Sequence, residues 1–347
     1  MFLALATPSR PAGDPPLLGV QVHPLWGGVS RGEAAAQIDG AAAAGAGLVR
    51  VDVGWASLEQ HAKGRRSAWY LGRLDAVVGR AHERGLKVLL TVMDTPCWAS
   101  SAPRGLRRGC RGRWWERGVQ RYAPRDPGDY ADALAFLVRR YGSRVAAWEV
   151  WNEPNQRAFF KARHPAVAYA GLLRGAYAAA KAADPDATVV GGALAGADHR
   201  FTDRLYRLGV KGSFDAWSAH PYSGDRSPLD AGAGDPEHSF VRGVPAVRKV
   251  MLRHGDDKPL WLTELGWTTS TRRDGPSWAN GVDREDQARY LEQAFAQLRR
   301  WDYVRAAVWY ALQDSSHDPA DRVGNYGLIG AGGAPKPSRA AFERQAG

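Results

Sequence analysis

Leu18-Gly19-Val20-Gln21-Val22-His23-Pro24-Leu25-Trp26-Gly27-Gly28 is the run on which the fold turns. Its first six residues read as a short β-strand, and a helical period begins soon after, over Arg31–Ala44. A doubly wound nucleotide-binding sheet would place a Gly-rich phosphate turn directly after this strand. His23-Pro24-Leu25-Trp26-Gly27-Gly28 is not that turn, which favours the other parallel architecture. Outward from here the alternation repeats. Strands are expected at Leu18–His23, Leu48–Gly54, Lys87–Met93, Val145–Trp151, Thr188–Gly192, Phe214–Ala219, Leu260–Glu264 and Val304–Tyr310. Helices are expected at Arg31–Ala44, Leu71–Arg84, Asp129–Tyr141, Ala166–Ala183, Phe201–Leu208, Phe240–Arg253, Arg284–Arg300 and Ser338–Gln345. Gly45, Gly85, Gly142 and Gly255 follow four of these helices as stop signals. Eight strands in strict alternation with eight helices predict an α/β chain folded as a single (β/α)8 TIM barrel over residues 17–347.

Composition sets the outer bounds. The 347 residues are 44% hydrophobic and 24% charged, as in packed globular proteins, and no apolar run reaches the roughly 18 residues of a membrane span. The net charge is +11, which raises nucleic acid or a polyanionic glycan as a partner. Of the 47 basic residues 39 are Arg, and Arg, Ala and Gly recur throughout, as a GC-rich genome writes them regardless of function. With no zinc finger, basic zipper or RNA-binding signature, nucleic acid is not expected as a partner.

Residues 1–16 read as a disordered segment or the remnant of an export signal, since Ala4-Leu5-Ala6 has the small-x-small form of a cleavage site. Cys97 and Cys110, the only cysteines, would close a short loop; a bridge there suits an exported protein, and two reduced thiols are the alternative. The connection from Thr95 to Pro127 is long for a compact domain and lies where a barrel carries its active-site loops.

Reactive groups of a (β/α)8 barrel sit at the carboxyl ends of its strands. Those ends carry Arg50, Asn152-Glu153, His220-Pro221-Tyr222, Glu264 and Trp309. Two carboxyl groups facing each other across a cleft lined with aromatics meet the requirement of glycosidic bond cleavage. Trp151-Asn152-Glu153-Pro154-Asn155 and Trp261-Leu262-Thr263-Glu264-Leu265-Gly266-Trp267 resemble the acid/base and nucleophile motifs of clan A retaining glycoside hydrolases, families 39 and 5 in particular. Val49–Trp55, Thr95–Trp98, Ala219–Tyr222 and Asn325–Ile329 extend the resemblance along nearly the whole chain. It implies Glu153 as general acid/base, Glu264 as nucleophile and Asn152 at the sugar 2-hydroxyl. It further implies Arg50 and Tyr222 on Glu264, His220 beside them, and Trp309 as the floor beneath the reacting sugar. Glu149 is expected as a satisfied carboxylate of the barrel core and Trp148 against the helices. Trp55, Trp98 and Trp267 are candidate walls of neighbouring subsites.

Between Arg104 and Arg121 stand seven Arg and the pair Trp114-Trp115, so this loop is either a grip for an anionic glycan or a solvated surface. No metal or cofactor motif is visible, and the two-glutamate mechanism needs neither. The expectation is a monomeric, exported bacterial hydrolase acting on a poly- or oligosaccharide. A transglycosylase with the same residues and a non-catalytic glycan-binding barrel are the alternatives.

Overall fold

The computed structural model describes residues 15–346. The expectation for residues 1–16 therefore lies, apart from Pro15 and Pro16, outside the described residues. Eight parallel strands close on themselves in chain order, the first pairing with the eighth. They are β1 (Leu17–Val22), β2 (Leu48–Gly54), β3 (Lys87–Met93), β4 (Ala147–Val150), β5 (Val189–Ala195), β6 (Ala216–His220), β7 (Leu260–Leu265) and β8 (Val304–Trp309). The long helices between them are α1 (Arg31–Ala43), α2 (Ala68–Glu83), α3 (Pro127–Tyr141), α4 (Pro165–Ala183), α5 (His199–Arg207), α6 (Phe240–Arg253), α7 (Arg284–Leu298) and α8 (Pro337–Ala346). The single (β/α)8 barrel is thus as expected, with ends that differ by a few residues.

Local chemistry fixes several of these ends. Ser30 and Glu33 form a reciprocal capping box at the start of α1, and Asp283 caps α7 through the Asp286 amide. Gly45 and Gly85 carry φ of 79° and 70°, a conformation that releases the chain from each helix towards the next strand.

Strand alternation layers the barrel interior. Leu48, Leu89, Ala147, Val190, Ala216 and Val308 form an apolar plug. Two residues further along the strands come Arg50, Thr91, Glu149 and Ser218, fully buried and tied into one polar layer. The opposite strand faces pack on the helices as the main core, which includes Trp148. No helix among the described residues is long and apolar enough to cross a membrane.

Candidate active site

The polar layer supports the site above it. Glu149 Oε2 accepts from Arg50 Nε at 2.8 Å and from Thr91 at 2.8 Å, while Ser218 donates to its other oxygen at 3.0 Å. Burial alone would raise the Glu149 carboxyl, but Arg50, His220 and the hydroxyls of Thr263 and Thr91 together outweigh it and hold the group below its ordinary range. Glu149 is therefore the satisfied core carboxylate expected. Arg50 spreads its remaining donors over Gln21 at 2.9 Å, Glu264 Oε1 at 2.7 Å and Asn152 Oδ1 at 2.7 Å. Because a guanidinium only donates, Asn152 must turn its oxygen to Arg50, and its amide N–H groups are the end left for a ligand.

At the end of β4 the chain zigzags. Trp151 and Glu153 both adopt positive φ, 69° and 46°, with the Trp151 amide held by Val92 O at 3.0 Å and the Glu153 amide by Ala193 O at 2.8 Å. Such conformations cost about 1–3 kcal/mol each and persist where the surroundings over-determine them. Their effect is to bring the consecutive residues Asn152 and Glu153 both to the cleft. Asn155 locks the same turn by bonding both the N–H and the C=O of Ala195 on β5. Across the barrel, the β7–β8 pairing shifts register between Leu262 and Leu265, and Glu264 sits within that shift. Its second oxygen accepts from the Tyr222 hydroxyl at 2.7 Å.

His220 joins the two glutamates. Its Nδ1 lies 3.0 Å from Glu153 Oε1 and 3.7 Å from Glu264 Oε2, and its Nε2 lies 3.1 Å from Thr263 Oγ1. One carboxylate oxygen of each glutamate and His220 Nδ1 all lie within 4.8 Å of one another. Burial raises the Glu153 carboxyl; the neighbouring His220 opposes this and the Glu264 charge adds to it, leaving the group above its usual range. Burial would lower His220, yet the two glutamates outweigh it and its affinity for a proton is raised. Tyr222, buried and beside Glu264, is pushed well above the ordinary phenol range and stays a donor.

The same three residues are a geometric candidate for a metal among the described residues. Their donor atoms are already engaged: Glu264 by Arg50 and Tyr222, His220 by Glu153 and Thr263. A cation bound there would also face the Arg50 guanidinium, so the donor set fits a proton-transfer site better than a metal site.

Above these groups opens a cleft of about 810 Å³. It brings together Asn152, Glu153, Tyr222 and Glu264, with Arg50 and His220 buried just behind them. Two expected residues are elsewhere. Trp309 is 0% exposed, packs against Trp267 at 6.0 Å and donates its Nε1–H to Tyr326 O. Alternation is the reason: Val308 points into the barrel, so Trp309 points out, and Tyr310 returns to line the cleft. Trp267, 1% exposed, is likewise core, its Nε1–H bonded to Arg226 O. Trp55 and Trp98 do not line the cleft either; their indole N–H groups go to Glu59. The aromatics that do line it include Trp26, Tyr70, Phe159, Tyr310 and Tyr326. Asp52 and Asp94, not among the residues expected at the site, share the cleft wall. Their signal was available: Asp52 stands two residues beyond Arg50 and so on the same face of β2.

For the Arg/Trp loop, the surface alternative fits the structure better. Cys97 and Cys110 are bridged, and Trp114 packs beside Cys97, Ala102 and Val119 in a small core of its own. Arg107 and Arg117 bond loop carbonyls, Arg113 pairs with Glu116, and no residue from 104 to 121 lines the cleft. Most of the loop folds upon itself at the surface, outside the cleft lining, while at its end the Arg121 carbonyl accepts from the Lys161 amide.

A closed (β/α)8 barrel with a strand-four and a strand-seven glutamate facing each other over an aromatic cleft is the architecture of the clan A glycoside hydrolases. The profile of the Cellulase (glycosyl hydrolase family 5) family matches residues 9–304, and the chain belongs to that family. No curated protein sequence matches it. Among solved structures it is similar to a family 39 glycoside hydrolase from the gut symbiont Bacteroides cellulosilyticus WH2, with a TM-score of 0.74 at 24% identity. That match covers 98% of this chain and 65% of the other, so the chain spans just under two thirds of that relative. It is also similar to a monomeric beta-xylosidase from Caulobacter crescentus CB15, with a TM-score of 0.62, 21% identity, and 96% and 69% of the two chains covered. An exo-beta-1,4-mannosidase from Opitutaceae bacterium strain TAV5 has a TM-score of 0.67 at 20% identity, over 100% of this chain and 62% of the other. At these identities the structural likeness shows the fold, and it agrees with the resemblance to families 39 and 5 carried by the motifs.

Proposed function

We propose that this protein is a retaining glycoside hydrolase that cleaves a β-linked O-glycosidic bond of an oligo- or polysaccharide. The observation that carries the reading is the approach of the two carboxyl groups, whose nearest oxygens lie within 4.8 Å. Retaining enzymes hold their carboxyls about 5–5.5 Å apart, whereas inverting enzymes leave about 6.5–9.5 Å for a water. In the first step Glu153 gives its proton to the glycosidic oxygen as the C1–O bond breaks, and a Glu264 oxygen bonds to C1. In the second step Glu153 takes a proton from water, the water oxygen bonds to C1, and the Glu264 ester bond breaks. The raised Glu153 carboxyl suits the acid role. Arg50 and Tyr222 suit Glu264 for attack by donating to its two oxygens and so aiming them. The Asn152 amide is placed to donate to the 2-hydroxyl, and Tyr310 and Tyr326 supply the aromatic surface that Trp309 does not. The Cys97–Cys110 bridge favours work outside the cytoplasm.

Two variants test the roles separately. Glu264→Gln is expected to lose about a thousandfold or more in kcat on every glycoside. Glu153→Gln should lose as much on substrates with a poor leaving group, yet keep most of its glycosylation rate on dinitrophenyl glycosides, whose leaving group needs no proton. Equal loss on both substrate classes would reverse or remove the acid assignment. Product analysis in the same assays separates water from a second sugar as the acceptor.

A further inference from the structure

Most carboxyl groups of the cleft have their partners within the protein. Glu264 has Arg50 and Tyr222, and Glu153 has His220. Asp52 accepts from Gln21 at 3.3 Å and lies 3.7 Å from Arg50. Asp94 does not: half-buried, it lines the cleft, and among the described residues no hydrogen bond or ion pair reaches its carboxylate. Its backbone is held at φ 68°, with its carbonyl accepting from the Ala56 amide, so the chain bends unfavourably to present this side chain. One further group on this wall, and one behind Asp52, are only half used. The buried Tyr70 hydroxyl lines the cleft and accepts from the Gly54 amide at 2.8 Å, and among the described residues no acceptor takes its own proton. His23 Nδ1, buried and 3.6 Å from Asp52 Oδ2, is beyond hydrogen-bond reach of it and has no other partner among the described residues.

The position of this wall says what it meets. Glu153 and Asn152 stand at the end of β4, Tyr222 follows β6 and Glu264 lies on β7, so the reacting carbon is held on that half of the barrel mouth. Asp52 and Asp94 stand at the ends of β2 and β3, and Asp52 is one strand repeat above Arg50. A sugar ring laid from the reacting carbon past Asn152 carries its further hydroxyls towards them. Accepting carboxyls suit hydroxyl donors and repel anions. Of the two basic residues lining the cleft, Arg322 is already paired with Asp274 at 2.6 Å; the other is His238. Burial first, and then the Asp52 charge, push Asp94 up to about 7 against the opposing charge of Arg121, as suits a group whose hydrogen-bond partner arrives with the ligand.

We infer that Asp52 and Asp94 are the specificity-determining pair of the cleft, accepting the ring hydroxyls remote from the scissile bond, and that they select a neutral glycone over one carrying carboxylate or sulfate there. This rests on the glycosidase reading. The test is a chemical double-mutant cycle on aryl β-glycosides, with neutral hexosides and pentosides, their monodeoxy analogues and the matching uronides as substrates. On the best neutral glycoside, Asp52→Asn and Asp94→Asn should each lower kcat/KM about ten- to a hundredfold. On the deoxy analogue lacking the contacted hydroxyl, the same variants should lose less than about threefold. The uronide should be at least about a hundredfold poorer than its neutral parent. Equal losses on parent and deoxy substrates, or a preferred uronide, would overturn the inference while leaving two-glutamate hydrolysis standing. A second readout does not depend on turnover: saturation with a neutral glycoside should displace the carboxyl 13C resonance of Asp94. An undisplaced resonance at saturation overturns the inference whatever the chemistry does.

Discussion

Arg50 is the side chain on which the site depends, because one fully buried guanidinium satisfies Glu149 below it and Glu264 and Asn152 above it. A lysine has one compact charge and cannot span these partners, so Arg50→Lys should lower kcat/KM about a hundredfold or more. Arg50→Met should also cost about 3–5 kcal/mol of stability, since it strands Glu149 in the core; the shift of the urea midpoint measures it. His220 is the second lever. It opposes the rise of the Glu153 carboxyl, so removing it lets Glu153 keep its proton to higher pH. A general acid works only while protonated. His220→Asn should therefore move the alkaline limb of kcat/KM upward in pH, and a limb that stays or falls contradicts the assignment.

Strand ends explain what was legible and what was not. Eight alternations of strand and helix and the motifs at Asn152-Glu153 and Glu264 announced the barrel and its facing glutamates, because period and order along the chain carry that information. The aromatic floor was misread because strand position was weighed without strand phase. Once Val308 is placed inside, Trp309 must face the helices and Tyr310 the cleft. The positive φ of Trp151 and Glu153 was invisible beforehand, since neither residue type signals it. Composition left the Arg-rich loop open between a glycan grip and a solvated surface, because what holds it away from the cleft is tertiary: Trp114 and the Cys97–Cys110 bridge fold it onto itself. Closing this loop should stabilise by about 3 kcal/mol in the chain-entropy model. Cys97→Ala together with Cys110→Ala should then lower Tm by several degrees with KM unchanged; a changed KM would return the loop to the cleft.

Over the whole molecule, charge is sorted by place. The chain is +11, while its cleft is lined by Asp52, Asp94, Glu153 and Glu264. Such a site stores instability, and Asp94 carries part of it. Its carboxyl is raised from 3.8 in the unfolded chain to about 7 when folded, so the folded state holds the proton more tightly. The stability this lends is full below pH 3.8 and is lost as pH rises to about 7. Asp94→Asn removes the loss, and its Tm should match the parent near pH 4 and exceed it at pH 8. A Tm difference that does not grow over that interval would contradict the half-buried, unpartnered carboxyl. The central claim, double displacement between Glu153 and Glu264, is tested most directly by following a cleaved β-glycoside at its anomeric proton by NMR. The account predicts that the β-anomer of the product appears first and the α-anomer only later, by mutarotation. An α-anomer released first would mean direct attack by water, and would contradict it.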